Sequence, residues 1–282
     1  MSEWLTDAGG PGFAHTYRVE EELYRGRSDF QEIRVIRNAD FGRMLVLDDA
    51  VQTTQRDEFI YHEMLAHVPL LAHPAPKRAL IIGGGDGGLL EEALKHPLEA
   101  AVMVEIDRQV VDVTLRFLPE IAGSAFDDPR ARLIIADGIR FMREASDPFD
   151  VILVDSTDPK GPAVGLFSEA FYADARRRLR PGGLIAVQSG SPLYQQDLIR
   201  LVRTNMGKVL PHISTYLATV PTYPGVIWSF TMGATAGDPT RPAEEDVARR
   251  TAGLDLQYLT PAVFRGAFAL PPFIARDLGI AG

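Results

Sequence analysis

One short stretch limits this chain more than any other. Arg78 to Ile82 (RALII) is a compact apolar run, and Gly83 to Gly88 (GGGDGG) follows it at once. Gly83, Gly85 and Gly88 satisfy G-x-G-x-x-G, and Leu89 to Lys95 then reads as a helix. Strand, glycine turn and helix in that order let backbone approach a ligand closely. The next apolar run, Ala101 to Ile106 (AVMVEI), carries Glu105, 22 residues after Gly83. A carboxylate there can accept both ribose hydroxyls of a nucleoside. Further apolar runs occur at Ala131 to Ala136, Phe149 to Val154 and Gly183 to Gln188. A helix over Phe171 to Leu179 precedes the last of these and is closed by Pro181-Gly182-Gly183. Apolar strands alternating with helices predict a parallel sheet covered on both faces. Val226 to Met232 reads as a late strand and Gly237 to Glu245 as loop, while the closing stretch to Gly282 carries no assignable pattern.

The first residues follow a different rule. Phe30 to Arg37 (FQEIRVIR) alternates apolar and polar side chains, as a half-exposed strand does. Asn38 to Gly42 is a turn cluster, Arg43 to Leu47 a returning strand, Asp48-Asp49 a second turn and Val51 to Thr54 a third short strand. Such an antiparallel meander is too small to stand alone. Asp57 to His73 switches to helical spacing, with acids in its first turn and Pro74 and Pro76 after it. The expected organisation is α/β: residues 1–56 form a small N-terminal antiparallel β domain, and residues 57–282 a Rossmann-like, doubly wound catalytic domain.

The glycine loop carries Asp86. A carboxylate facing a pyrophosphate in a low-dielectric cleft is repelled, whereas one facing a sulfonium or ammonium is attracted. The loop therefore favours an S-adenosyl ligand over a dinucleotide. Asp137-Gly138, after the third apolar run, suit the adenine edge, and Asp137 equally suits a helix N-cap. The fourth run ends Asp155-Ser156-Thr157-Asp158-Pro159. In a doubly wound sheet the ligand lies outside the carboxyl ends of the strands, which would gather Asp155, Asp158 and Asp86. Asp158 also fits a turn-initiating aspartate before proline. Several carboxylates in one cleft call for a cation, either a divalent metal or a polycationic organic molecule. His62 is the one nearby candidate for an additional metal ligand, and the reading favours an organic cation and no metal. Ser156 to Phe167 contains Gly161, Pro162 and Gly165 and reads either as a lid or as a long βα loop.

Composition narrows the partners. The chain has no cysteine, which removes disulfides, thiolate zinc sites and thiol nucleophiles and fits a reducing, cytoplasmic setting. A net charge of −9 argues against a nucleic-acid partner. No apolar stretch reaches the length of a membrane span, and Met1-Ser2-Glu3-Trp4 does not begin a leader pattern, so no membrane partner is expected.

In FQEIRVI, GRMLVLDDAVQTTQRDEFIYHEMLAHVPL, GGGDGG, VEID, DSTDPKGPAVGLF, PGG and VPTYP, in that order, the chain resembles the polyamine aminopropyltransferases, most closely bacterial spermidine synthases. The resemblance implies a small N-terminal β domain on a methyltransferase-like Rossmann domain. It implies transfer of the 3-aminopropyl group of decarboxylated S-adenosylmethionine, a co-substrate and not a cofactor, to a diamine such as putrescine. It places nucleoside contacts at Gln31, Gly83, Gly85, Glu105, Asp137, Gly138 and Pro162. It places aminopropyl and amine contacts at Gln52, Tyr61, His62, Asp86, Asp155, Ser156, Thr157, Asp158 and Tyr223, with Asp155 as general base. It also implies a homodimer or homotetramer. Two positions depart from the family pattern. Gln55 stands where relatives often carry Glu, and Val226, beside Tyr223, stands where the VPTYP block usually continues with a second glycine. The competing readings are transfer to another amine, a small-molecule methyltransferase, and a non-catalytic polyamine- or nucleoside-binding protein.

Overall fold

In the computed structural model, which describes residues 3–144 and 147–280, the chain begins with a hairpin, β1 (Glu3–Gly10) and β2 (Phe13–Val19). A four-stranded antiparallel meander follows: β3 (Glu21–Arg27), β4 (Glu32–Asn38), β5 (Gly42–Leu47) and β6 (Ala50–Thr54). The strands β4 to β6 are those expected from alternation. The hairpin and β3 were not individually expected, because EWLTDAGG and EELYRGR bury few side chains and carry glycine. Asp48 and Asp49 form the β5–β6 turn with φ of 46° and 64°, the left-handed geometry that a tight two-residue hairpin turn requires.

The period of two in β4 feeds two cores. Ile33 and Val35, with Leu45 and Leu47, pack against Val110 and Val113. Ile36, Met44 and Val46, on the other face, pack under Leu5 and Tyr17 of the hairpin. The meander is thus covered on both sides, which is how so small a sheet retains its order.

The rest of the chain alternates helix and strand: α1 (Glu58–Ala72), β7 (Arg78–Gly83), α2 (Gly88–Leu94), β8 (Ala100–Glu105), α3 (Arg108–Phe117), α4 (Pro119–Ala122), β9 (Ala131–Ile135), α5 (Gly138–Glu144) and β10 (Phe149–Asp155). A 3-10 turn over Gly161–Phe167 leads to α6 (Glu169–Arg178), β11 (Leu179–Gly190), α7 (Gln196–Gly207), β12 (His212–Thr219) and β13 (Ile227–Ala234), and the chain closes with α8 (Glu244–Thr251), α9 (Pro261–Ala267) and α10 (Pro272–Asp277). The seven-stranded sheet has the order β12-β13-β11-β10-β7-β8-β9. Its five strands β7 to β11 are parallel, as expected. The late strand β13 runs antiparallel to both β11 and β12. The reason is local: Val220 to Val226 is a short return without a crossover helix, and a short return joins only antiparallel strands.

Strand order reverses at β7, with β8 on one side and β10 on the other. That reversal opens a crevice at the carboxyl ends of β7 and β10, where Gly83 and Asp155 are register partners. One face of the sheet buries α1, α2, α8 and α9, and the other buries α5, α6 and α7, while Ile274 of α10 packs on Ile199 of α7. Helix α1 is buried on every side from Tyr61 to Leu71. Its polar position Glu63 accepts backbone N–H groups from Gln257 (2.6 Å), Tyr258 (3.0 Å) and Leu259 (2.6 Å). The C-terminal segment is therefore seated on α1 by charge-assisted hydrogen bonds rather than by a strong pattern of its own.

Candidate active site

The crevice widens into a cleft of about 310 Å3 between the meander and the main sheet. Every candidate residue named above lines it: Gln31, Gln52, Tyr61, His62, Gly83, Gly85, Asp86, Glu105, Asp137, Gly138, Asp155, Ser156, Thr157, Asp158, Pro162 and Tyr223.

At the nucleoside end, the Glu105 carboxylate is buried at the tip of β8 and accepts the Asp107 N–H at 2.8 Å. Burial pushes its carboxyl up to about 7; the N–H groups of Asp107 and Ile106 pull it down and the Asp107 charge pushes the same way as burial. Gln31 donates to Asp107 at 3.0 Å, and Ser28 donates to the same oxygen at 2.6 Å, so the β3–β4 loop is tied to the end of β8. Of its two expected roles, Asp137 takes the N-cap: its Oδ1 accepts the Ile139 N–H at 2.8 Å at the start of α5, and the residue also lines the cleft.

At the centre, the Tyr61 hydroxyl donates to Asp155 Oδ1 at 2.6 Å. Burial pushes the Asp155 carboxyl up to about 6, helped by the charge of Asp86 and opposed by His62 and the Tyr61 hydrogen bond. His62 stands between two carboxylates, with Nδ1 2.6 Å from Glu58 and Nε2 3.4 Å from Asp86. Burial lowers the affinity of its ring for a proton, but Asp86 and Glu58 outweigh that and hold its pKa well above the usual histidine range. Burial likewise works against the Asp86 charge, and His62 with the Gly88 N–H outweighs it, leaving the Asp86 carboxyl below its ordinary range. The cationic neighbour of Asp86 is thus His62. Glu58, His62 and Asp86 together still carry one net negative charge. The ring of His62 packs on the start of α2, where a Cβ on Gly88 would lie 2.4 Å from it.

A donor set of His62, Asp86 and Asp155, with one ligand atom from each lying within 4.8 Å of the others, is one that a divalent cation could use. Both ring nitrogens of His62 face carboxylates, however, and Tyr61 already donates to Asp155. Carboxylates facing both nitrogens stabilise an imidazolium at His62.

At the far end, Asp158 accepts from Gln195 Nε2 at 2.8 Å, so its side chain is turned to α7 and not to the turn before Pro159. Burial pushes its carboxyl up, with Gln195 and Lys160 opposing. Tyr223 donates to the Gln52 carbonyl at 2.7 Å and packs edge-on against Tyr61 at 5.4 Å between ring centroids. Ser156 accepts through its carbonyl from Gln188 at 3.0 Å.

Sequence reasoning missed Asp7, Glu58, Asp107, Gln188, Gln195 and Trp228 as participants around this cleft. Gln188 lies near the end of β11, so the strand-end rule that found Asp155 could have found it. Glu58 is one helical turn before His62, a spacing that also carries a signal. Nothing in the sequence places Asp7 there, because its position depends on how the hairpin folds over β6.

Comparison with known proteins identifies the family. A family model described as "Spermine/spermidine synthase domain" matches residues 58–242, and one described as "Spermidine synthase tetramerisation domain" matches residues 3–55. A polyamine aminopropyltransferase of Caldicellulosiruptor bescii is 46% identical over 275 residues, covering 97% of each chain. One of Desulforudis audaxviator is 45% identical over 276 residues, covering 98% of each. Among solved structures, a spermidine synthase in complex with the transition state analogue AdoDATO superposes with a TM-score of 0.94 at 38% identity, covering 98% of this chain and 95% of that one. Spermidine synthase from Thermotoga maritima superposes with a TM-score of 0.91 at 35% identity, covering 99% and 95%.

Proposed function

This chain belongs to the polyamine aminopropyltransferase family and is a transferase, and from that premise we propose that it moves the 3-aminopropyl group of decarboxylated S-adenosylmethionine to putrescine, giving spermidine and methylthioadenosine. The observation that carries this reading is the Asp155 carboxylate. It sits at the strand-order reversal, is held by Tyr61 and has its pKa raised to about 6.

The chemistry is a direct displacement. The acceptor nitrogen attacks the carbon beside the sulfonium, the C–N bond forms as the C–S bond breaks, and the C–S electron pair neutralises the sulfur. The nitrogen must first lose a proton, and Asp155 takes it. An alkylammonium has a pKa of about 10, so transfer to an ordinary aspartate costs roughly 8 kcal/mol at about 1.36 kcal/mol per pH unit. Raising Asp155 to about 6 reduces that cost to roughly 5 kcal/mol. Desolvating the amine narrows the remainder. Tyr61 fixes the base, and Asp86, backed by His62 and Glu58, faces the aminopropyl ammonium. Asp158, held by Gln195, receives the acceptor, and Tyr223 and Gln52 wall its pocket. Glu105 takes the ribose hydroxyls, with Gln31, Asp137, Gly138 and Pro162 around the nucleoside. The net negative charge around Asp86 opposes the extra carboxylate of ordinary S-adenosylmethionine.

The reading treats residues 1–56 as a β domain that closes the cleft and mediates homo-oligomerisation, and residues 57–282 as the catalytic domain. The match of residues 3–55 to a tetramerisation model supports a homotetramer, as does Trp4, which β1 leaves 57% exposed. Among the described residues, no helix is long and apolar enough to cross a membrane. The reading places the enzyme in the cytoplasm.

The test is product identification by mass spectrometry. Protein is incubated with decarboxylated S-adenosylmethionine and putrescine, cadaverine, agmatine or spermidine in turn, beside an S-adenosylmethionine control. Spermidine and methylthioadenosine from putrescine, lost in Asp155→Asn, are the expected products. Faster transfer to another amine would move the acceptor, and methyl transfer from S-adenosylmethionine would overturn the reading.

A further inference from the structure

Asp7 is a buried carboxylate in the cleft that the mechanism leaves without a task. In β1 the side chains of Leu5 and Asp7 turn inward while Trp4, Thr6 and Ala8 face out. Asp7 is 5% exposed and its Oδ2 accepts the Val51 N–H of β6 at 3.0 Å. It lines the same cleft as Asp155, Asp158 and Gln52. The hairpin that carries it is anchored at the acceptor end. Tyr17 donates to the Thr222 carbonyl at 2.6 Å, one residue before Tyr223. Gly9 lies so near Pro224 that a Cβ would approach to 2.7 Å, and Phe13 stacks on Tyr194 at 4.6 Å.

A structural role accounts for only part of this. An asparagine would accept the Val51 N–H equally well without the cost of burying a charge. Among the described residues Asp7 has no ion-pair partner within 4.0 Å; the charged or titratable groups nearest in effect are His15, Asp158 and Lys160. Burial raises the Asp7 carboxyl, Asp158 adds to that, and the Val51 N–H, His15 and Lys160 oppose it. What would offset such a charge is a cation in the cleft itself.

A diamine supplies one. While one nitrogen loses its proton and attacks, the other remains an ammonium and needs a partner at the opposite end of the acceptor. We propose that Asp7 binds that distal ammonium, so that the separation between Asp155 and the hairpin sets the length of diamine accepted. The inference rests on the aminopropyl-transfer reading above and deepens it.

The experiment compares putrescine with n-butylamine, which lacks the distal charge, at saturating decarboxylated S-adenosylmethionine. Wild-type enzyme is expected to favour the diamine. Asp7→Asn keeps the Val51 contact, and it is expected to raise KM for putrescine about 10- to 100-fold, leave the rate with n-butylamine unchanged, and leave methylthioadenosine affinity unchanged. Asp7→Glu, which retains the charge one methylene further out, is expected to shift preference from putrescine towards 1,3-diaminopropane. A wild-type enzyme that uses putrescine, with the diamine-to-monoamine preference unaltered in Asp7→Asn or the length preference unaltered in Asp7→Glu, overturns the role of Asp7 alone. Transfer to no amine by the wild-type enzyme overturns the reading of the site and this inference with it.

Discussion

Gly83 and Asp155 are joined through backbone: they pair across β7 and β10, a Cβ on residue 83 would lie 1.9 Å from the Asp155 carbonyl oxygen, and that oxygen accepts the Gly84 N–H at 3.0 Å. The loop that cradles the nucleoside and the carboxylate that takes the proton are therefore one rigid unit. Gly83 also has φ of +85°, which disfavours any side chain there.

The first prediction follows from that contact. Gly83→Ala must push β7 and β10 apart or turn the Asp155 peptide, and a displacement near 1 Å at the reacting groups costs about 100-fold in rate. Steady-state assays are expected to show at least that loss in kcat/KM, accompanied by a lowered Tm. A variant with native rate and melting temperature would show that the two strand ends are not rigidly joined.

The pH profile gives the second prediction. Asp155 must be ionised to act as base, so kcat/KM for putrescine should fall as pH drops through about 6. The Tyr61 hydrogen bond lowers that pKa and the Asp86 charge raises it. Tyr61→Phe is therefore expected to move the acidic limb to higher pH, and Asp86→Asn to move it to lower pH while also cutting the rate. Limbs that stay in place in both variants would assign the titration to another group.

Glu105 supplies the third. Its carboxyl rises from an ordinary value of 4.5 to about 7 on folding, chiefly through burial. The folded state then binds more protons than the unfolded state between those values, so protein without ligand loses stability as pH rises from about 4.5 to about 7. Glu105→Gln removes that loss and still accepts the Asp107 N–H. Thermal melts are expected to show the variant more stable than wild type by about 1–3 kcal/mol at pH 8 and equal at pH 4. Methylthioadenosine affinity should fall at least 10-fold in the same variant, because the ribose hydroxyls lose a charged acceptor. Equal melting at both pH values would place the proton uptake elsewhere.

Much of this architecture was legible in sequence because it rests on local rules. The apolar runs from Arg78 to Val154 gave β7 to β10 within a residue or two at most ends, and strand-end logic brought Glu105, Asp155 and Asp86 to one cleft. What escaped depends on tertiary neighbours. The imidazolium of His62 exists because Glu58 and Asp86 flank it, and only folding sets Asp86 beside it. Helices α9 and α10 showed no pattern because Glu63 of α1 organises the segment before them. Gln55, a departure from relatives that often carry Glu, donates to Glu120 of α4 and accepts the Arg43 N–H at 2.6 Å. A glutamate at residue 55 would set two carboxylates together there, so the substitution answers a neighbour 65 residues away.

Val226 gives the last prediction. Its φ is +65°, a conformation costly for a β-branched residue, at the position where the family pattern usually has glycine. The turn persists because the Val226 N–H donates to the Tyr223 carbonyl at 2.9 Å and the Val226 carbonyl accepts the Val220 N–H at 2.7 Å. Val226→Gly relieves the strain, and the greater freedom of glycine in the unfolded chain offsets part of the gain. A net stabilisation of about 1 kcal/mol is expected, or about 2 °C in Tm for a chain of this size. The acceptor should not change. Tyr223 is fixed independently by its hydrogen bond to the Gln52 carbonyl and by its packing on Tyr61 and Trp228. The ratio of kcat/KM for putrescine to that for cadaverine is therefore expected to stay within about twofold, a difference of about 0.4 kcal/mol. A variant that gains stability but changes this ratio by tenfold would show that the strained turn helps to shape the amine pocket.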